Sequence, residues 1–124
     1  VIVWATGYKV SFPFFTDPAL QPRDNVFPLW KRMVKPGVPD LWFLGLAQPL
    51  PTLVNFAEQQ SKLLAAWLTG QYPLPSPAEM ERQIAEDEKL YLGGYYASPR
   101  HTMQLDFAHY VRALERDLRK NAGR

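Results

Sequence analysis

Leu41-Trp42-Phe43-Leu44-Gly45-Leu46 reads as a buried strand, bounded by Pro39-Asp40 before it and Gln48-Pro49 after it. A helix follows closely. Over residues 52–69, Leu53, Phe56, Ala57, Leu64, Trp67 and Leu68 fall at helical spacings, and Gly70 stands where a left-handed C-terminal cap belongs. This strand, tight turn and helix place the chain in the α/β class. A helix N-terminus presents free N–H groups and about half a positive charge. In an open α/β sheet the carboxyl ends of strands face the ligand crevice, so the turn from Gly45 to Thr52 can meet a cofactor carbonyl or phosphate. An ordinary strand–helix connection that holds no ligand has the same pattern.

Working toward the N-terminus, Val1-Ile2-Val3-Trp4-Ala5 is β-branched and apolar on both faces, as in a central strand, and Thr6-Gly7-Tyr8 stops it. Gly7 would allow a ligand or a second backbone to approach closely, although a plain glycine turn reads the same way. Such an opening, entered part-way through a fold, suggests the tail of something longer. Residues 11–40 carry six prolines (Pro13, Pro18, Pro22, Pro28, Pro36, Pro39) among the aromatics Phe12, Phe14, Phe15, Phe27 and Trp30. That composition predicts an ordered loop packed onto a surface, with a short strand near residues 30–34.

Toward the C-terminus, Ser76-Pro77-Ala78-Glu79 combines an N-cap serine, a proline at the first helical position and a glutamate three residues after the cap. A helix is expected over residues 77–91, ended by Gly93-Gly94. Phe107, Tyr110, Val111, Leu114 and Leu118 then form the stripe of a last amphipathic helix. The chain thus divides into a strand–loop–strand–helix part, 1–72, and a helical extension, 73–124, that packs on it.

Composition narrows the function. At 124 residues, 47% hydrophobic, with 14 Lys+Arg against 12 Asp+Glu, the chain holds one core, and its net charge of +2 implies no nucleic-acid footprint. Without cysteine there is no disulfide, thiolate metal site or thiol nucleophile, which fits a reducing, cytoplasmic setting. No apolar run approaches the ~20 residues of a membrane span. The seven glycines nowhere form a phosphate-binding loop.

Single residues say less. Ser98, His101 and Asp106 hold the letters of a hydrolase triad but crowd into one segment without a strained nucleophile turn. His101 and His109 lack a metal-ligand arrangement, so no metal site and no catalytic residue is expected in this segment. Glu58, Gln60 and Lys62 alternate along the long helix, with Glu58 and Lys62 spaced to pair on a solvated face. Arg112, Arg116, Arg119 and Lys120 read as another such face, diluted by Glu115 and Asp117.

Several of these motifs, taken in order, resemble the C-terminal part of the flavin-containing monooxygenases. Val1-Ile2-Val3-Trp4-Ala5-Thr6-Gly7-Tyr8 with Ser11-Phe12-Pro13-Phe14 looks like the family's late "ATGY…SFPF" segment. Val26-Phe27-Pro28 and Gly45-Leu46-Ala47-Gln48-Pro49-Leu50 resemble its "FP…IGL-x-QPL" stretch. The register continues through Glu58, Gln60 and Lys62, where animal members show E-x-Q-x-R, to Gly70 and Leu74-Pro75-Ser76. Lys62 stands for the usual arginine, Pro51-Thr52-Leu53-Val54 differs from common versions, and no hydrophobic anchor follows Arg124, as in a soluble, bacterial-type member. ATG-like strand ends also occur in Baeyer–Villiger monooxygenases, N-hydroxylating monooxygenases and flavin disulfide reductases.

The resemblance implies the C-terminal part of a Rossmann-like FAD- and NAD(P)-binding fold, with two core strands, a long helix and two further helices. It implies an FAD- and NADPH-dependent enzyme that uses molecular oxygen to oxygenate nitrogen- or sulfur-containing small molecules through a flavin C4a-hydroperoxide. Retained NADP would protect that species. Gln48 and the backbone of Leu50, Pro51 and Thr52, beside Gly45, would lie at the flavin ring, and Ala5, Thr6 and Gly7 at the FAD/NADP junction. The family's glycine-rich dinucleotide motifs have no counterpart here, so the 124 residues alone should not turn over. The C-terminal helices would cap the FAD domain or form a subunit contact in a homo-oligomer. Two other readings stand beside this one. They are a Baeyer–Villiger-type or other pyridine-nucleotide flavoprotein, and a non-catalytic helical module whose Phe107 to Leu118 stripe packs on a partner helix.

Overall fold

The computed structural model describes residues 1–49, 52–92 and 103–121. Residues 1–5 form no strand and are exposed, Trp4 keeping 80% of its surface. A strand apolar on both faces needs ladder partners at its edges and layers on both sides. Among the described residues nothing pairs with it. Asn25 ties this segment to the body from both ends of its amide: Nδ2 donates to Tyr8 O at 3.5 Å, and Oδ1 accepts from Val10 N–H at 2.8 Å.

The proline-rich stretch is ordered, as expected, by its aromatics. Phe12, Phe27 and Phe43 pack with ring centroids 5.2–5.6 Å apart, and with Leu29 and Met103 they build a small core. Gln21 Nε2 ties the loop down by donating to the carbonyls of Phe12 (2.8 Å) and Phe15 (2.6 Å). Two tight turns follow, each with two non-glycine residues in the left-handed region: Asp24 (φ 50°) and Asn25 (φ 62°), then Lys31 (φ 49°) and Arg32 (φ 58°). The first is a two-residue hairpin closed by Arg23 and Val26, a turn that favours this backbone, and the second lies in a three-residue loop closed by Trp30 and Val34. Asp and Asn adopt it readily, whereas Lys and Arg do so at a cost.

The second turn leads into β1 (Val34–Lys35), paired antiparallel with β2 (Val38–Trp42). The predicted strand over 41–46 therefore ends early, at Trp42. Among the described residues its only neighbour is the two-residue β1, so Pro39 and Asp40 stay exposed and the chain turns away once Phe43 N–H has reached Met33 O (2.8 Å). β3 (Gln48–Pro49) pairs in parallel with β4 (Gln104–Leu105). The architecture among the described residues is thus α/β with two small sheets, not the two buried central strands expected.

The helices follow their local signals closely. α1 (Leu53–Leu68) is capped by Thr52, whose Oγ1 accepts from Asn55 N–H. It ends in a Schellman motif: Gly70 at φ 73°, Gly70 N–H to Trp67 O (2.9 Å) and Gln71 N–H to Ala66 O (2.8 Å). Its buried line is Phe56, Gln60 and Leu63, while the expected core positions Leu53 and Leu68 are exposed. α2 (Pro77–Leu92) opens on Ser76, whose Oγ accepts from Glu79 N–H at 3.3 Å. The reciprocal half of the capping box does not form, because the Glu79 carboxylate is taken by Arg82 and Gln83. The expected stop at Gly93-Gly94 lies outside the described residues.

α3 (Phe107–Asn121) buries Tyr110 and Leu114 and half-buries Phe107, Val111 and Leu118, the whole predicted stripe. The main core joins Trp30, Met33, Val34, Phe56, Leu63, Met80, Leu105, Tyr110 and Leu114. The stripe is spent on this core, where Tyr110 stacks on Phe56 of α1 at 4.8 Å between centroids.

Candidate functional site at the β2 to α1 turn

Gly45 stands at the point where the chain leaves β2 for α1, in a left-handed conformation (φ 76°) that glycine adopts without strain. Both of its backbone groups are engaged internally. Its N–H donates to Gln60 Oε1 at 2.7 Å, and its carbonyl accepts from Ala47 N–H at 2.9 Å. A Cβ here would sit 3.7 Å from Leu53, an ordinary contact, so the backbone angle and not the space calls for glycine. Gln48 then donates its N–H to Met103 O (2.8 Å) and leaves its side chain exposed.

Leu50 and Pro51 lie outside the described residues. At Thr52 the helix cap uses the N–H groups of Asn55 and Phe56, the latter bonding Thr52 O at 3.2 Å. The N–H groups of Leu53 and Val54 find no acceptor among the described residues, and both side chains are exposed and apolar. Two aimed N–H donors, the positive end of a 16-residue helix, an exposed amide at Gln48 and an apolar rim suit a flat ring edge that carries carbonyl oxygens.

Gln60 fixes the turn from behind. It is 0% exposed, the one buried polar side chain among the described residues, and each end of its amide is used. While Oε1 holds Gly45 N–H, Nε2 donates to Tyr110 Oη (3.2 Å) and to Arg32 O (3.4 Å), and the Tyr110 hydroxyl donates on to Lys31 O at 2.7 Å. Both carbonyls of the left-handed Lys31-Arg32 turn thus have a buried donor. Lys31 is further held by an ion pair with Asp117 and lies over the Trp30 ring at 5.3 Å. The sequence reading paired Glu58 with Lys62 and gave Gln60 between them no role of its own. The signal it passed over is that Gln60 lies four residues after Phe56 and three before Leu63, on the apolar line itself. The expected Glu58–Lys62 pair is absent too, since Lys62 Nζ donates to Gln59 Oε1 at 2.7 Å.

Of the predicted site residues, the turn gathers Gly45, Gln48 and Thr52. Ala5, Thr6 and Gly7 stay on the exposed N-terminal segment with no hydrogen bond to the turn, and no atom would meet a Cβ on Gly7 within 4 Å. Asp106 caps α3, its Oδ1 accepting from His109 N–H at 2.8 Å, while Ser98 and His101 lie outside the described residues. Among the described residues no cluster of three or more His, Asp or Glu could hold a metal ion. No helix among them is long and apolar enough to cross a membrane.

Partial burial raises the Asp87 carboxyl against the opposing charges of Lys31 and Arg32 in the left-handed turn. Burial, helped by the Asp117 charge, pushes the Tyr72 phenol up to about 12. Hydrogen bonds from Arg82 and Gln83 bring the Glu79 carboxyl down to about 2.

The short sheets and the capped helix N-terminus define an α/β turn, and a family model specifies the class. Residues 1–121 match the model described as flavin-binding monooxygenase-like, and the chain belongs to that family of flavoprotein oxidoreductases. Family membership implies a flavin cofactor and the FAD-binding Rossmann-like fold. Among curated relatives, the chain is 33% identical over 116 residues to flavin-containing monooxygenase 5 of Oryctolagus cuniculus, covering 92% of this chain and 21% of the relative. It is 34% identical over 116 residues to dimethylaniline monooxygenase [N-oxide-forming] 2 of Rattus norvegicus, covering 92% and 22%. It is 32% identical over 115 residues to flavin-containing monooxygenase 5 of Homo sapiens, covering 91% and 21%. The chain spans about a fifth of the length of the curated relatives it matches.

Proposed function

We propose that this chain supplies the ring-facing turn of an FAD- and NADPH-dependent monooxygenase that oxygenates nitrogen- or sulfur-containing small molecules. The observation that carries the reading is the start of α1. The N–H groups of Leu53 and Val54, which meet no acceptor among the described residues, open α1 a few residues after the exposed Gln48, within the stretch 1–121 that matches the family. Bound FAD would supply the redox chemistry, taking electrons from NADPH and passing them to oxygen. The residues here would bind and orient. The α1 N-terminus would place its positive end against a ring carbonyl and favour negative charge on the reduced ring. Gln48 would offer one further amide, while Leu44, Leu53 and Val54 would exclude water from the ring edge.

Ala5, Thr6 and Gly7 belong to this reading as the FAD/NADP junction, and Leu50 and Pro51 as part of the ring contact. The name of the rat relative, dimethylaniline monooxygenase [N-oxide-forming] 2, favours nitrogen oxygenation over the Baeyer–Villiger alternative. The helical extension, 73–124, would act by bracing the turn, and turnover would require dinucleotide sites that these residues do not contain. A cytoplasmic setting and homo-oligomerisation complete the proposal.

The test is to express the longest reading frame that contains this chain and record its visible spectrum under nitrogen. A bound-flavin band that NADPH bleaches and air restores, with a tertiary amine converted to its N-oxide, is the expected result. A colourless protein that takes up no FAD would overturn the reading.

A further inference from the structure

We infer that Gln60 and Tyr110 are a positioning pair for the ring-facing turn, through which the last helix sets the electrostatic environment of a bound flavin without touching it; this rests on the reading of the turn proposed above. A glutamine buried to 0% exposure costs free energy unless both ends of its amide are bonded, and a leucine would fill similar space without that demand. The polar ends are therefore where its function lies. One end holds Gly45 N–H (2.7 Å) at the joint between β2 and α1. The other meets the Tyr110 hydroxyl (3.2 Å) and Arg32 O (3.4 Å).

The consequence runs forward along the chain. With its N–H clamped by Gln60, Gly45 also accepts from Ala47 N–H, and Gln48 N–H is held by Met103 O. These bonds set where the Gln48 side chain sits relative to the first N–H groups of α1, the two donor sets the ring would meet. Tyr110 orients the clamp because its hydroxyl is fixed in turn by Lys31 O at 2.7 Å. Losing that hydroxyl lets the Gln60 amide rotate, and with it the Gly45 peptide. The Gly45 to Gln48 turn then loosens against the start of α1, so the donors a reduced ring would meet are less well placed to stabilise its negative charge.

The experiment uses the complete flavoprotein that carries this chain, reconstituted with FAD, and measures the flavin reduction potential, FAD affinity and thermal midpoint of three variants. Tyr110→Phe removes one hydroxyl, Gln60→Leu removes the clamp, and Leu114→Ala loosens α3 in the core without touching the network. Tyr110→Phe is expected to lower the potential and weaken FAD binding by about tenfold, the equivalent of one hydrogen bond. Leu114→Ala should lower the thermal midpoint while leaving the potential unchanged. If Gln60→Leu fails to fold, Tyr110→Phe carries the test. A potential that stays put in Tyr110→Phe, or that moves equally in Leu114→Ala, overturns the positioning role and leaves the flavoprotein reading standing. A wild-type protein that takes up no flavin overturns that reading and this inference with it.

Discussion

The hydroxyl of Tyr110 donates to the carbonyl of Lys31 at 2.7 Å, joining the last helix to a left-handed turn 79 residues earlier in the chain. A turn of Lys and Arg would not hold this backbone by local preference. It persists because buried donors take both of its carbonyls.

Removing the Tyr110 hydroxyl therefore costs more than one exposed hydrogen bond. Tyr110→Phe leaves Lys31 O without its buried donor and Gln60 Nε2 without one acceptor, so a loss of about 1–3 kcal/mol is expected. Urea unfolding followed by circular dichroism reads it. A midpoint within error of wild type would show that water replaces the hydroxyl.

Gly70 closes α1 at φ 73° with open space where a Cβ would go. Gly70→Ala should then cost about 1 kcal/mol from backbone strain alone, with no clash to relieve, and Gly70→Asn less, since asparagine tolerates this region better. Thermal midpoints of both variants test the order.

Acid should loosen the start of α2. With its folded pKa lowered to about 2 from the usual 4.5, Glu79 binds its proton more readily in the unfolded chain. Its contribution is therefore present above about 4.5 and lost as pH falls toward 2. The carboxylate is at the surface, so the effect is small and salt-sensitive. Glu79→Gln should flatten the fall in thermal midpoint over that window, most clearly at low ionic strength.

Alkali acts with the opposite sign at Tyr72. Its phenol ionises near 12 in the folded chain and near 10 when unfolded, so its contribution is full below 10 and is lost as pH climbs to 12. Tyr72→Phe should remove that part of the alkaline decline. Phenolate absorbance would then show one fewer late-titrating tyrosine.

The helices were legible because their determinants are local. Thr52 and Gly70 bracket α1, Ser76-Pro77 opens α2, and the stripe from Phe107 to Leu118 defines α3. Strands depend on partners that no local pattern names. Val1-Ile2-Val3-Trp4-Ala5 has the composition of a central strand and no neighbour among the described residues, and Leu41-Trp42-Phe43-Leu44 loses its ladder where β1 runs out. The turn itself could be read as a strand–helix junction. Its support could not, because Gln60 and Tyr110 meet 50 residues apart and each looks unremarkable on its own helix.

The parallel pairing of Gln48-Pro49 with Gln104-Leu105 also sets an order of assembly. A chain is made from its N-terminus, and a contact that closes a long loop waits for both ends to exist. A nascent chain that has reached residue 92 can already hold its first hairpins, α1 and α2. The Gly45 turn would still lack Met103 behind Gln48 and Tyr110 behind Gln60. The turn would therefore gain both supports together, as α3 docks.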